Sequence, residues 1–224
     1  MITNTDDRVF VVDDDDAMRR SLERLLAAHG LAVEGFATAE DFLERTSHVG
    51  PRCLVLDLVL PTMDGLEVQR RLVEAGQEMP IVFLSGHGDI PSTVQAMKGG
   101  AREFLTKPAD PPQLVDAVRR ALASDRRTMH EREERTELRR RVARLSPRER
   151  QVFSLVIEGL LNKQIAARLG TTERTVKAQR GNLRRKLGAD SVAELVRLAD
   201  KIGGLDAAPL VPEDTGRQLL AERT

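Results

Sequence analysis

Apolar and polar positions alternate with two different periods along this chain, and the change of period divides it. In the first half, short mostly apolar runs read as strands: RVFVV (8–12), LAVEGF (31–36), CLVLDL (53–58), IVFLS (81–85) and EFL (103–105). CLVLDL is interrupted only by Asp57, as expected of a central parallel strand buried on both faces. Amphipathic stretches at Met18–His29, Leu66–Ala75, Ile90–Lys98 and Gln113–Ala123 read as helices between them. Thr38-Ala39-Glu40-Asp41 has capping-box spacing ahead of Phe42 and Leu43 and starts a further one. Five strands, each followed by a helix, predict an α/β fold with a doubly wound five-stranded parallel sheet.

The period changes after Ala123. Residues 124–145 are polar, rich in Arg and Glu, and free of Gly and Pro, with Glu131/Arg135 and Glu137/Arg141 spaced to support an exposed helix. Leu138, Val142 and Leu145 share one face of it. Two readings fit: a solvated helical linker, or a linker that pairs with its copy in a dimer. From Ser146 the pattern is all helical. Ser146-Pro147-Arg148-Glu149 is a capping box with Pro at the first helical position, and glycines at 159, 170 and 188 punctuate four short helices. The last of these opens at the capping box Ser191-Val192-Ala193-Glu194. The expected organisation is an α/β domain (1–123), a helical linker (124–145), a small all-α domain (146–203) and a flexible tail (204–224) in which Leu219 and Leu220 could dock.

Charge sharpens this division. The net charge is zero, yet residues 1–123 carry 13 Lys/Arg against 20 Asp/Glu, a net of −7. Residues 146–203 carry 12 against 6, a net of +6. An acidic half joined to a basic half suggests a cation-binding module tethered to a polyanion-binding one. The single Cys53 sits in an apolar strand and excludes an internal disulfide, and no stretch is long and apolar enough for a membrane span. The N-terminus has no signal-peptide pattern, so the expected location is the cytoplasm.

Parallel sheets bind ligands outside the carboxyl ends of their strands. There this chain gathers Asp13 and Asp14 after the first strand, Asp57 at the third, Ser85 at the fourth and Lys107 after the fifth. Carboxylates so close repel unless a cation neutralises them, and a hard cation such as Mg²⁺ takes oxygen ligands of this kind. The set suits phosphoryl transfer to an Asp. Asp15 and Asp16 are expected to cap the first helix or stay solvated, and His87 to be a loop residue, the alternative being control of water access.

The pieces VVDDD (11–15), DLVLPTMDG (57–65), FLSGHGD (83–89) and FLTKP (104–108) resemble the CheY-like receiver domain, a flavodoxin-like fold. The resemblance implies that Asp57 is the phosphoacceptor, and that Asp13, Asp14, Asp57 and the Val59 carbonyl hold Mg²⁺. It implies that Ser85 turns inward to the phosphoryl group, that Lys107 is its charge partner, and that Phe104 is the ring that changes rotamer with it. Leu60 stands where Met is frequent, a near-isosteric change. Ala109-Asp110-Pro111-Pro112 replaces the usual Phe after Lys-Pro and leaves open how the next helix begins.

Residues 145–199 resemble the LuxR-type helix-turn-helix, and the whole chain resembles response regulators of the FixJ/NarL class. In the third helix of this domain, at about 100° per residue, Val176, Leu183 and Leu187 fall on one side and face a core. Arg174, Ala178, Gly181 and Arg185, flanked by Lys177 and Arg184, make the opposite, cationic face. The family resemblance puts Lys177, Ala178 and Gly181 against bases and Lys163, Arg180 and Arg184 against phosphates. Gln179 replaces a frequent His, and either can hydrogen-bond phosphate. The implied partners are a sensor histidine kinase, double-stranded DNA, a second copy of the chain on activation, and possible contact with RNA polymerase. Two rival readings stand beside this one. An aspartyl-phosphate hydrolase would place a second acid where Val59 stands. An interaction module would be regulated without phosphate.

Overall fold

The structure is a computed structural model that describes residues 7–45, 48–86 and 90–203. It divides into two compact units, Met1–His130 and Glu131–Thr224. His87, Asp89, and the tail with Leu219 and Leu220 lie outside the described residues.

The first unit alternates β1 (Arg8–Val12), α1 (Asp16–Ala28), β2 (Ala32–Phe36), α2 (Ala39–Glu44), β3 (Arg52–Asp57), α3 (Gly65–Glu74), β4 (Ile81–Ser85), α4 (Ile90–Lys98), β5 (Glu103–Thr106) and α5 (Pro111–Ala143). The strands form a parallel sheet in the order β2-β1-β3-β4-β5. Strand side chains alternate between two cores because successive residues point to opposite faces. Phe10, Leu54, Leu56 and Phe83 pack with Phe42 of α2, Val68 and Leu72 of α3, and Ala96 of α4. Val9, Val11, Cys53, Val55 and Leu84 pack with Leu22 and Leu26 of α1 and with Leu114, Val118 and Leu122 of α5. Burial pushes the Cys53 thiol far up, so it stays a neutral core group.

Local chemistry sets the helix starts. Asp15 caps α1 by accepting from the Ala17 and Met18 amides, while Asp16 pairs with Arg19 and Arg20. Thr38 accepts from the Asp41 amide to start α2. Asp110 resolves the beginning of α5: its carboxylate accepts from the Gln113 amide, and Pro111 takes the first helical position, where a missing N–H loses nothing.

Helix α5 does not stop at Ala123. Asp125 is buried and accepts from the Arg52 amide at 2.9 Å, and Arg126 bonds both oxygens of Asp7. Both contacts sit at the start of β1 and β3, the end of the sheet away from Asp57.

The second unit contains α6 (Pro147–Ile157), α7 (Asn162–Arg168), α8 (Glu173–Leu187) and α9 (Val192–Ile202). Its core joins Val152, Phe153, Val156, Ile165, Val176, Leu183, Leu187 and Leu195. Leu138, Val142 and Leu145 belong to the same core, so the last turns of α5 complete this unit as a fifth helical element. The apolar stripe that could have paired two linkers is covered by its own unit. Ser146 and Glu149 form the expected reciprocal box. At α9 the box is offset by one residue: Ser191 accepts from the Glu194 amide, but Glu194 accepts from Asp190.

Candidate functional site

The chain turns from one side of the sheet to the other between β1 and β3, and the carboxyl ends of these strands hold the acidic set. Asp13 and Asp57 are buried, whereas Asp14 is exposed. One oxygen from each lies within 4.8 Å of the others. Lys107 reaches in from the end of β5 and donates to Asp13 Oδ2 at 2.7 Å and Asp57 Oδ2 at 2.5 Å. Its backbone amide donates to Ser85 O at 2.8 Å, tying the lysine to β4. Turn geometry fixes the carboxylates: Asp13 Oδ1 accepts from the Asp15 amide at 3.0 Å, and Asp57 Oδ1 from the Val59 amide at 3.1 Å.

The electrostatics follow from this packing. Burial pushes the Asp13 carboxyl up, and the neighbouring Asp57 charge adds to that, together outweighing the bond and charge of Lys107. For Lys107, burial works against its charge, but the two carboxylate bonds overcome it and hold the ammonium above its ordinary range. Ser85 is fully buried beside Asp57's strand. Phe104, paired with Phe83 across β4 and β5, is half-buried with its ring stacked 6.1 Å from that of Phe83.

The second unit carries the basic face. Thr172 caps α8 through the Thr175 amide, and Val176, Leu183 and Leu187 are buried as the spacing predicts. That rotation leaves Arg174, Lys177, Ala178, Gly181 and Arg185 exposed, with Lys163 exposed on α7. Among the described residues, Lys163, Arg174 and Lys177 make no side-chain hydrogen bond or ion pair. Arg180, by contrast, donates to Asn162 Oδ1 at 2.5 Å, and Arg184 bonds the carbonyls of Ala189 and Asp190. Arg185 donates to Asn182 Oδ1. Gln179 has its carboxamide oxygen buried without a partner, and its Nε2 is the atom that would donate to a phosphate in place of a His.

The comparisons with known proteins bear on both units. The response regulator receiver domain model matches residues 9–119, and that of the luxR family of bacterial regulatory proteins matches residues 143–199. Nodulation protein W of Bradyrhizobium diazoefficiens is 46% identical over 195 residues, 87% of this chain and 86% of that one. The transcriptional regulatory protein FixJ of Azorhizobium caulinodans is 41% identical over 204 residues, 91% and 97% of the two chains. The solved structure of the response regulator StyR is 45% identical, with a TM-score of 0.77 over 88% of this chain and 100% of that one. The chain is a two-component response regulator.

Its receiver and LuxR-type DNA-binding unit place the regulator in the FixJ/NarL class, and these are the domains of a transcriptional regulator. Among the described residues no helix is long and apolar enough to cross a membrane. Two groups that steady these sites were not foreseen. Arg19 donates to Asp13 O at 2.8 Å and clamps the turn that carries the acidic pair. Lys186 donates to Glu149 Oε2 at 2.7 Å and fastens α8 to the capping box of α6. The first partnership spans six residues along a turn and helix start. The second spans 37 residues, beyond anything local spacing reports.

Proposed function

We propose that the regulator is switched by phosphorylation of Asp57 from a sensor histidine kinase, and that the modified form dimerises and binds its operator through α8. The observation that carries this reading is the convergence of Asp13, Asp57 and Lys107 within direct hydrogen-bonding distance at the sheet's carboxyl edge.

The donor set fits a divalent cation: three carboxylate oxygens within 4.8 Å of one another are hard ligands, and burial has already raised Asp13's need for positive charge. Asp13, Asp14, Asp57 and the Val59 carbonyl would hold Mg²⁺, which when bound supplies charge compensation for the phosphoryl oxygens. The bond from the Val59 amide to Oδ1 restrains the Asp57 carboxylate as it forms the new P–O bond and the donor's bond to phosphorus breaks. Lys107 then pairs with the added negative charge, Ser85 turns to the phosphoryl group, and Phe104 fills the space that follows. Ile90, Val94 and Met97 form an exposed apolar stripe at i, i+4, i+7 on α4, which supports a receiver dimer on that face. Lys177, Ala178 and Gly181 would meet bases. Arg174, Arg185 and Lys163 are placed for phosphates, with Arg180 and Arg184 reaching them only after leaving their present partners.

Incubation with acetyl phosphate and Mg²⁺ tests the reading. The native chain should take up one phosphoryl group and shift from monomer to dimer. Asp57→Asn should lose essentially all uptake, and an Asn variant that is modified and dimerises normally would sink the proposal.

A further inference from the structure

Helix α4 carries the dimer face proposed above, and it buries little of its own surface in the first unit. Ala96 is its one buried residue among those described. Ile90, at its N-terminal end, is 80% exposed. A distinct set of bonds fixes its C-terminal end. Gly100 adopts a left-handed conformation, its amide donates to Met97 O, and the Ala101 amide donates to Ala96 O, which makes a Schellman ending. The Ala96 carbonyl then receives a second donor from outside the helix: Nε2 of Gln69 on α3, at 3.1 Å. Gln69 is buried, so this bond is shielded from water.

Gly99 shows how closely the amide is housed. Its φ lies outside the left-handed region, so backbone conformation does not require glycine there. A Cβ at 99 would, however, sit 2.5 Å from Gln69 Oε1 and 2.7 Å from Cδ. The absent side chain is space for the Gln69 carboxamide. Gln69 also lies one turn along α3 from Gly65, whose amide donates to Leu58 O in the loop that follows Asp57. One short helix thus joins the loop beside Asp57 to the last turn of α4.

We propose that Gln69 is a positioning residue for the switch: it pins the C-terminal end of α4 to α3, so that α4 responds by pivoting about Ala96, with its Ile90 end moving most. The proposal rests on the reading of Asp57 as the phosphoacceptor. The pin lowers the population of displaced α4 in the unmodified chain without touching the phosphoryl site.

The test uses the full chain and two variants. Gln69→Met keeps the volume and removes the donor. Gly99→Ala keeps Gln69 and fills its space. Both should speed amide hydrogen exchange in α4 of the unmodified protein about fivefold, the effect of losing one buried hydrogen bond. Both should also raise phosphate-free dimerisation by a similar factor while leaving acetyl-phosphate uptake at Asp57 unchanged. A purely structural role would lower thermal stability but leave the ratio of modified to unmodified dimerisation as it is, and that result overturns the pin. Native exchange and dimerisation in both variants would overturn it too. If Gln69→Met does not fold, Gly99→Ala decides alone. Failure of the native chain to take up phosphate would remove the Asp57 reading instead, and exchange in α4 would still report on the pin.

Discussion

In the first unit Asp13, Asp57 and Lys107 are drawn into the edge of a parallel sheet, where Asp13 is almost wholly shielded and each carboxylate shares one ammonium. In the second, Arg174 and Lys177 stand on an exposed helix face, and the charge that is folded in, Glu149 with Lys186, holds one helix to another. Under the proposed function, the difference follows from what each charge would meet. A phosphoryl group is small and its reaction gains from a poorly screened site, so its partners are gathered and partly desolvated. A nucleic-acid duplex is large and meets a protein across an open face, so its partners stay at the surface.

The contrast can be attacked first through packing. Leu138→Ala should destabilise the second unit by about 2–4 kcal/mol while leaving the first unit unchanged, because it opens a cavity in the core that α5 completes. Chemical denaturation followed separately in the two units reads this, and an unchanged second unit would return Leu138 to the solvated linker. Gly65→Ala is the counterpart in the first unit. Its Cβ would lie 2.6 Å from Asp57 O and 2.9 Å from the Phe83 ring. Overpacking there should cost about 1–3 kcal/mol and slow phosphoryl uptake, measured with acetyl phosphate.

Lys177→Ala should leave stability within about 0.5 kcal/mol of native, since its side chain is exposed. It should weaken operator binding by about 10- to 100-fold and non-specific DNA binding much less. Equal losses in titrations against both DNAs would make Lys177 a phosphate contact. The smallest effect concerns acid. The Lys186 bond, with the Ser146 amide, holds the Glu149 carboxyl below its ordinary 4.5. A lowered folded-state pKa gives stability that is present above the unfolded value and lost as pH falls through the folded one. Glu149→Gln should therefore be less stable than native at pH 7, by under about 1 kcal/mol after solvent screening, and the gap should close below pH 4.5 in urea titrations.

Much of the receiver was legible because its strands are continuous apolar runs and its candidate site residues stand at their ends. Asp13, Asp57 and Lys107 could be placed together from topology alone, since a parallel sheet collects every strand's carboxyl end at one edge. Residues on α8 were equally legible, their helical period separating Val176, Leu183 and Leu187 from the basic face. The boundaries were not. The absence of Gly and Pro from 124–145 announced a helix, but not that Asp125 would reach Arg52 or that Leu138 would enter a distant core. Such contacts depend on which surface lies opposite, and no local pattern records it. Gln69 was hidden for the same reason: on a helical wheel it is one more polar residue, and its partner is a backbone carbonyl 27 positions away.

Helix α5 carries a practical lesson about how such chains can be recombined. Asp125 and Arg126 are committed to the sheet, while Glu134 pairs with Lys201 and Leu138 enters the helical core. A chimera cut at the edge of either matched motif would therefore orphan an amide on one side or uncover a leucine on the other. The seam that spares both partners runs through the exposed residues 130–133, inside a helix rather than in a loop.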